Sequence, residues 1–240
     1  MPTTVSLMVT CLGDVIRPEA GAATVRVLRR LGVDVGFPES QTCCGQPFFN
    51  SGFADEARRL ARHTIETFDN GRPVVTPSGS CAAMVKLEYS HLFEDDPAWR
   101  ARADELAGRT FELSDYLVNQ LGVEDVGARF EGTATYHYAC HLRGLGLTNE
   151  AERLIQAVTG LTFVPAERHD QCCGFGGSFA VRYGNVSTAM VGDKAGCIVA
   201  TQASVVVSTD TGCLMNIGGY LRRQGLPTRT LHLAELLDSR

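Results

Sequence analysis

Cysteine is the residue type in this sequence whose number and spacing are best suited to chemistry. The 240 residues include nine cysteines, and two pairs are adjacent along the chain, Cys43-Cys44 and Cys172-Cys173. In a reducing compartment, clustered cysteines point to metal or redox chemistry rather than to disulfides. Isolated cysteines are more often small buried apolar residues. The spacing therefore has to separate these interpretations.

Eight of the nine cysteines form one pattern that occurs twice. Each copy has a cysteine, then 31 other residues, then an adjacent pair followed by glycine, and then a fourth cysteine. The first three positions recur at an offset of 129 and the last at 132. The two sets are Cys11, Cys43, Cys44 and Cys81, and Cys140, Cys172, Cys173 and Cys213. Scattered core cysteines would not repeat in this way, so these eight are the candidate ligands.

The flanking sequence repeats as well, which indicates an internal duplication. The segment 109–117 resembles 229–237 at an offset of 120, so the first copy carries extra residues, which we place within 94–108. We expect two domains, 1–128 and 129–240. A buried thiol outside the repeat, Cys197, is interpreted as structural.

Apolar patterning in each copy predicts strands that alternate with helices. The first copy has predicted strands at 5–9, 33–37 and 74–76, with helices from Pro18 to Leu31 and over 57–68. The second has predicted strands at 133–138, 161–164 and 204–208, with a helix over 150–158. This order predicts an α/β fold of two duplicated halves, each a small, mostly parallel sheet flanked by helices.

The predicted topology brings the cysteines of each half together. Every cysteine of the double pattern follows a predicted strand, and the loops at the carboxyl ends of parallel strands meet at one edge of a sheet. Four converging thiolates are the ligand set of a structural zinc ion or of an iron–sulfur cluster. Zinc sites usually contain Cys-x₂₋₄-Cys pairs, which are missing here. Adjacent cysteines instead suit different irons of a larger cluster, and Gly45 and Gly174 would let backbone N–H groups approach it.

Other polar residues near these cysteines are weaker candidates. Histidines are common in polar loops, and aspartates often cap turns or helices, so a role for either in the site is left open. These residues are His137, His141, His169, Asp14 and Asp210.

The motifs resemble the cysteine-rich CCG-domain family of iron–sulfur proteins. The likeness rests on Cys11-Leu12-Gly13-Asp14, on the segments 44–52 and 172–177, and on 231–235, and it runs nearly end to end. The family includes the cysteine-rich subunit of heterodisulfide reductase and the iron–sulfur subunit of glycolate oxidase, and the lactate-utilization members are the most similar. The resemblance implies [4Fe-4S] clusters, about one per half. It also implies a redox subunit of an L-lactate-oxidising system that forms pyruvate, with two partner proteins, one of them a ferredoxin-like iron–sulfur protein.

One departure from the family pattern bears on the chemistry. Many CCG domains end in Cys-x-x-Cys, whereas Met84 and Asn216 lie three positions after Cys81 and Cys213. Each half thus offers four thiolates rather than five, which disfavours disulfide-reductase chemistry. Thiol/disulfide catalysis and a zinc-stabilised, partner-binding protein remain the alternatives. No nucleophile elbow or flavin fingerprint is visible, so we expect a redox subunit without catalytic residues of its own.

The composition indicates which classes of partner are disfavoured and where in the cell the protein is expected to be located. The net charge is −5 and no basic run is present, which disfavours nucleic acid as a partner. No apolar run approaches the roughly 20 residues of a membrane span, and no cationic signal stretch precedes the first strand. We therefore expect a cytoplasmic protein.

Overall fold

The computed structural model describes residues 4–240, and within them the chain forms two similar α/β halves. The first half contains β1 (Thr4–Leu7), α1 (Cys11–Ile16), α2 (Pro18–Arg30), β2 (Asp34–Gly36), α3 (Gln46–Phe49), α4 (Ala54–Thr67), β3 (Val74–Thr76), α5 (Gly79–Ala83), α6 (Tyr89–Leu92), α7 (Pro97–Gly108), β4 (Thr110–Glu112) and α8 (Leu113–Asp115). Two π-helical turns, Met84–Glu88 and Tyr116–Gln120, continue α5 and α8.

The second half repeats this order with fewer helices. It contains β5 (Arg129–Tyr136), α9 (His141–Gly144), α10 (Glu150–Gln156), β6 (Thr159–Phe163), α11 (Ser178–Arg182), α12 (Gly184–Ala200), β7 (Val205–Ser208), α13 (Thr211–Arg223), β8 (Arg229–His232) and α14 (Leu233–Asp238). Here α13 leads directly to β8, whereas α7 intervenes before β4 in the first half. The surplus residues of the first copy thus form a helix, at the position where the repeat predicts them.

Each half is built on a four-stranded, all-parallel sheet, as the alternating pattern predicts. The strand orders are β2-β1-β3-β4 and β6-β5-β7-β8. The central strands β3 and β7 are wholly buried and consist of Val-Val-Thr and Val-Val-Val-Ser, because helices cover both faces of such a sheet. The fold class is therefore confirmed.

The helices follow from local sequence signals. Pro18 begins α2 at its first position, where the missing N–H costs nothing. The buried face of α2 includes Ala20, Ala23, Val27 and Leu28, an i, i+3, i+7, i+8 stripe. The chain then turns at Gly32, whose φ of +77° suits glycine.

The two halves pack on each other through reciprocal contacts. Helix α14 of the second half packs against α2, and α8 of the first half packs against α10. One apolar cluster runs through both halves, from Val5 to Leu237. Ion pairs add to this junction, with Arg30 Nη2 lying 2.7 Å from Asp238 Oδ1. None of the helices in the described part of the chain is long and apolar enough to cross a membrane.

Candidate metal centre

The eight repeated cysteines meet at one place, where the two halves adjoin. All eight line a single cavity of about 120 Å³. The sequence predicts that each set of four converges, and the structure brings both sets together. It also shows what the spacing did not predict, namely that the two sets open onto the same cavity.

In the first half, the sulfurs form two close pairs. The Sγ atoms of Cys11 and Cys43 lie 3.6 Å apart, and those of Cys44 and Cys81 lie 3.4 Å apart. Cys11 is the first residue of α1, whose N-terminus is capped by Thr10. Cys81 lies in the first turn of α5, where its N–H donates to Ser78 Oγ at 3.3 Å. The helices that follow β1 and β3 therefore each fix one sulfur.

The second half repeats this arrangement. Thiol contacts link Cys140 to Cys172, Cys172 to Cys173, and Cys173 to Cys213. Cys213 lies in the first turn of α13, as Cys81 does in α5. All nine cysteines of the chain are free thiols.

A glycine after each cysteine pair brings backbone N–H close to sulfur. Gly45 N donates to Cys43 Sγ at 3.5 Å, and Gly174 N donates to Cys172 Sγ at 3.4 Å. Both glycines have positive φ, +90° and +77°. A Cβ on Gly174 would lie 2.9 Å from Ser187 O, so no other residue fits there without a shift. The predicted role of these glycines, to aim N–H groups at the site, agrees with this geometry.

Each half concentrates negative charge on one sulfur. Hydrogen bonds from Cys11, Cys44 and the Gly45 N–H lower the pKa of Cys43 to about 3. In the second half, hydrogen bonds from Cys140 and Cys173 lower the pKa of Cys172 to about 2. The pKa values of Cys11 and Cys140 lie above the ordinary range, because these thiols donate and are partly desolvated. A site of this kind holds one thiolate readily, and a cation is needed for the other sulfurs to ionise.

Asp210 and His141 join the halves beside the sulfurs. Asp210 Oδ1 accepts from the hydroxyls of Ser78 and Ser80, each at 2.7 Å, and Asp210 Oδ2 accepts from Ser80 N at 3.1 Å. His141 lies 3.7 Å from Cys140 Sγ through Nδ1 and 3.2 Å from Gln46 Nε2 through Nε2. Both residues therefore bridge the halves and line the cavity.

The remaining candidates are not among the residues that line the cavity. Asp14 is exposed on α1, and His169 is part-exposed against Tyr138. Cys197 is buried in α12 and accepts from Arg168 Nη2 at 3.4 Å, outside the cavity. His137 is the residue that the sequence did not distinguish from its neighbours. It is 1% exposed, and one of its ring nitrogens forms a compact group with the sulfurs of Cys173 and Cys213.

Known proteins are similar to this chain in sequence. The family described as "Cysteine-rich domain" (CCG) matches residues 5–86 and 134–218. Proteins named "Lactate utilization protein A" from Bacillus licheniformis, Geobacillus kaustophilus and Bacillus subtilis are 50%, 51% and 48% identical over 237 residues. Each alignment covers 98% of this chain and 99% of the relative.

A solved structure has the same fold. The crystal structure of a hypothetical protein from Helicobacter pylori superposes with a TM-score of 0.69 at 10% sequence identity. The superposition covers 99% of this chain and 48% of that one, so this chain spans about half the length of the Helicobacter pylori protein. At that identity the likeness concerns the fold alone.

Proposed function

This chain belongs to the cysteine-rich CCG-domain family, and from that premise we propose that it is an iron–sulfur electron-transfer component of a system that oxidises L-lactate to pyruvate. The names of the relatives in Bacillus and Geobacillus support the lactate part of this proposal. We assign one CCG domain to 1–128 and the other to 129–240. Two partner proteins, one of them ferredoxin-like, complete the system in the cytoplasm, where thiols stay reduced.

The observation that carries the proposal is the meeting of two four-thiol sets at one cavity. Four cysteines are the usual ligand set of a [4Fe–4S] cluster, and the donor chemistry of each half fits one. Cys11, Cys43, Cys44 and Cys81 would hold the first cluster, and Cys140, Cys172, Cys173 and Cys213 the second. When bound, such a cluster supplies reversible one-electron transfer. It also supplies the positive charge that lets all four sulfurs of a set ionise.

The protein's own groups tune and shield these sulfurs. The N–H groups of Gly45 and Gly174 donate to sulfur, and such hydrogen bonds raise a cluster's reduction potential by stabilising its more negative state. Burial of Cys44 and Cys173, which are 4% and 3% exposed, keeps water from the inner side of each set. Asp210 holds the two helix N-termini that carry Cys81 and Cys213 against each other.

Anaerobic purification with metal and sulfide analysis tests the proposal. We expect about eight irons and eight acid-labile sulfides per chain, because each half has the four cysteines of one [4Fe–4S] cluster. Reduction should bleach the brown colour and produce an EPR signal. Two zinc ions per chain and no iron, from anaerobically grown cells, would contradict the proposal and favour a zinc-stabilised, partner-binding protein.

A further inference from the structure

The second half contains a buried histidine that has no hydrogen-bond partner. His137 is 1% exposed, and neither Nδ1 nor Nε2 has a partner among the described residues. A buried polar group left unpaired destabilises the folded state. One ring nitrogen and the sulfurs of Cys173 and Cys213 all lie within 4.8 Å of one another. The ring therefore lies beside two cysteine sulfurs that are candidate metal ligands. No hydrogen-bond donor in the described part of the chain reaches its lone pair.

At the equivalent position of the first half the side chain is apolar, although the backbone there makes the same hydrogen bond. Met8 N donates to Val75 O at 2.9 Å, and His137 N donates to Val207 O at 2.8 Å, each directly after the first strand of its half. Met8 and His137 also lie at the offset of 129 that relates the cysteines. Met8 is 2% exposed, so the difference is one of chemistry and not of burial. Duplication thus supplies an internal comparison, with a thioether in one copy and an imidazole in the other.

The distances suit coordination of one metal ion. A metal binds thiolate sulfur at about 2.3 Å and imidazole nitrogen at about 2.0–2.1 Å, so ligand atoms in a tetrahedral site lie about 3.5–4 Å apart. Atoms within 4.8 Å of one another reach this arrangement through small side-chain rotations.

Resting on the proposed function, we infer that His137 is a nitrogen ligand to the metal centre of the second half. A [4Fe–4S] cluster has one outer ligand on each of its four irons, so His137 then takes the place of one of the four cysteines of the second half. The first half binds its metal through four thiolates, and the second through three thiolates and one imidazole. Replacing thiolate by imidazole on iron raises the reduction potential. The second centre would therefore be the better electron acceptor of the two.

Electron paramagnetic resonance tests this in the intact, iron-loaded chain. Cys44→Ser removes the cluster of the first half and its EPR signal, so that the spectrum of the reduced protein reports the second centre. Pulsed measurements on protein labelled with ¹⁵N-histidine then detect a directly bound ring nitrogen. His137→Met introduces the residue that the fold already accepts at Met8, and it should abolish the nitrogen coupling and lower the potential of the second centre. His141→Gln is the matched control, because His141 also lies beside a cysteine of this half and its loss should leave the coupling in place.

The results separate this inference from the proposed function. A second centre that is loaded and EPR-active but lacks strong nitrogen coupling in the parent chain would overturn the assignment of His137, whatever the variants do. If no iron–sulfur cluster forms in any variant, the proposed function fails. X-ray absorption of the Co²⁺-loaded chain then decides the role of His137. Nitrogen in the cobalt shell that disappears in His137→Met supports the ligand, and a shell of sulfur alone refutes it.

Discussion

Glu112 is a carboxylic acid at a fully buried position, and its ionisation should make stability depend on pH. It ends β4 and is 0% exposed. Its Oε2 accepts from Ser114 N at 2.7 Å and from the Ser114 hydroxyl, whereas Oε1 has no hydrogen-bond partner among residues 4–240. Burial raises the pKa of Glu112 to about 8, against the lowering effect of these hydrogen bonds.

The size of the effect follows from linkage between ionisation and folding. Folding raises the pKa of this group, so its contribution to stability is complete below the ordinary value of 4.5 and is lost as the pH rises through about 8. The difference between these two pKa values, at about 1.4 kcal/mol per pH unit, corresponds to a stability contribution of about 5 kcal/mol. Between pH 5 and pH 8 the loss is about 3–4 kcal/mol. Glu112→Gln should remove this dependence, because an amide keeps the shape of the protonated acid and never ionises.

Urea unfolding at several pH values between 5 and 8 measures this directly. Trp99 is the single tryptophan, stacked on Phe93 at 5.8 Å between ring centroids, so its fluorescence reports unfolding. Glu94→Gln is the matched control, since Glu94 is exposed. We expect the control to lose stability with rising pH as the parent does. A Glu112→Gln protein whose free energy of unfolding falls equally steeply would refute a protonated, buried Glu112.

Three further changes test the site and its supports. Cys173→Ser should halve the iron content and leave the EPR signal of the first half in place. The control Cys197→Ser, outside the cavity, should leave the iron content unchanged. Iron lost from both halves in Cys173→Ser would show that they build one shared centre. Gly174→Ala should lower cluster loading and thermal stability, because a Cβ there lies 2.9 Å from backbone. Gly225→Ala, with positive φ but open space and outside the cavity, should cost only about 1–2 kcal/mol and leave loading unchanged. Equal losses in the two variants would refute the steric argument. Asp210→Ala should lower the free energy of unfolding, measured in urea, by about 3 kcal/mol or more. The variant leaves three donors without their acceptor, at about 1–3 kcal/mol each. A change below about 1 kcal/mol would show that these hydrogen bonds do not hold the halves together.

Much of the fold was predictable because apolar periodicity and turn residues agree locally. The predicted helix from Pro18 to Leu31 forms over Pro18–Arg30, and the predicted strand at 74–76 forms as Val74–Thr76. Helix α12 gave no such signal. Its buried residues include Ser187 and Lys194, so polar and apolar side chains face the same core. Lys194 is tolerated there because its ammonium donates to the carbonyls of Arg168 and His169, at 2.7 and 2.9 Å.

The site was predictable in its members but not in its arrangement. Strand-end placement was enough to gather Cys11, Cys43-Cys44 and Cys81, because parallel strands leave their carboxyl ends at one edge. Nothing in the spacing fixes how two sheets face each other, so the common cavity could not be foreseen. One feature of the sequence could have distinguished His137 from the other histidines. Aligning the copies by their cysteines puts it opposite Met8, which is an apolar residue at the same register.

Joining the two copies in one polypeptide affects how each can change. In a symmetric dimer of identical chains, every substitution appears twice. Here the packing of α14 on α2 and of α8 on α10 keeps the pairing of a dimer, while Met8 and His137 differ. The molecule has the organisation of a heterodimer joined into one chain, in which either copy can specialise without losing its partner.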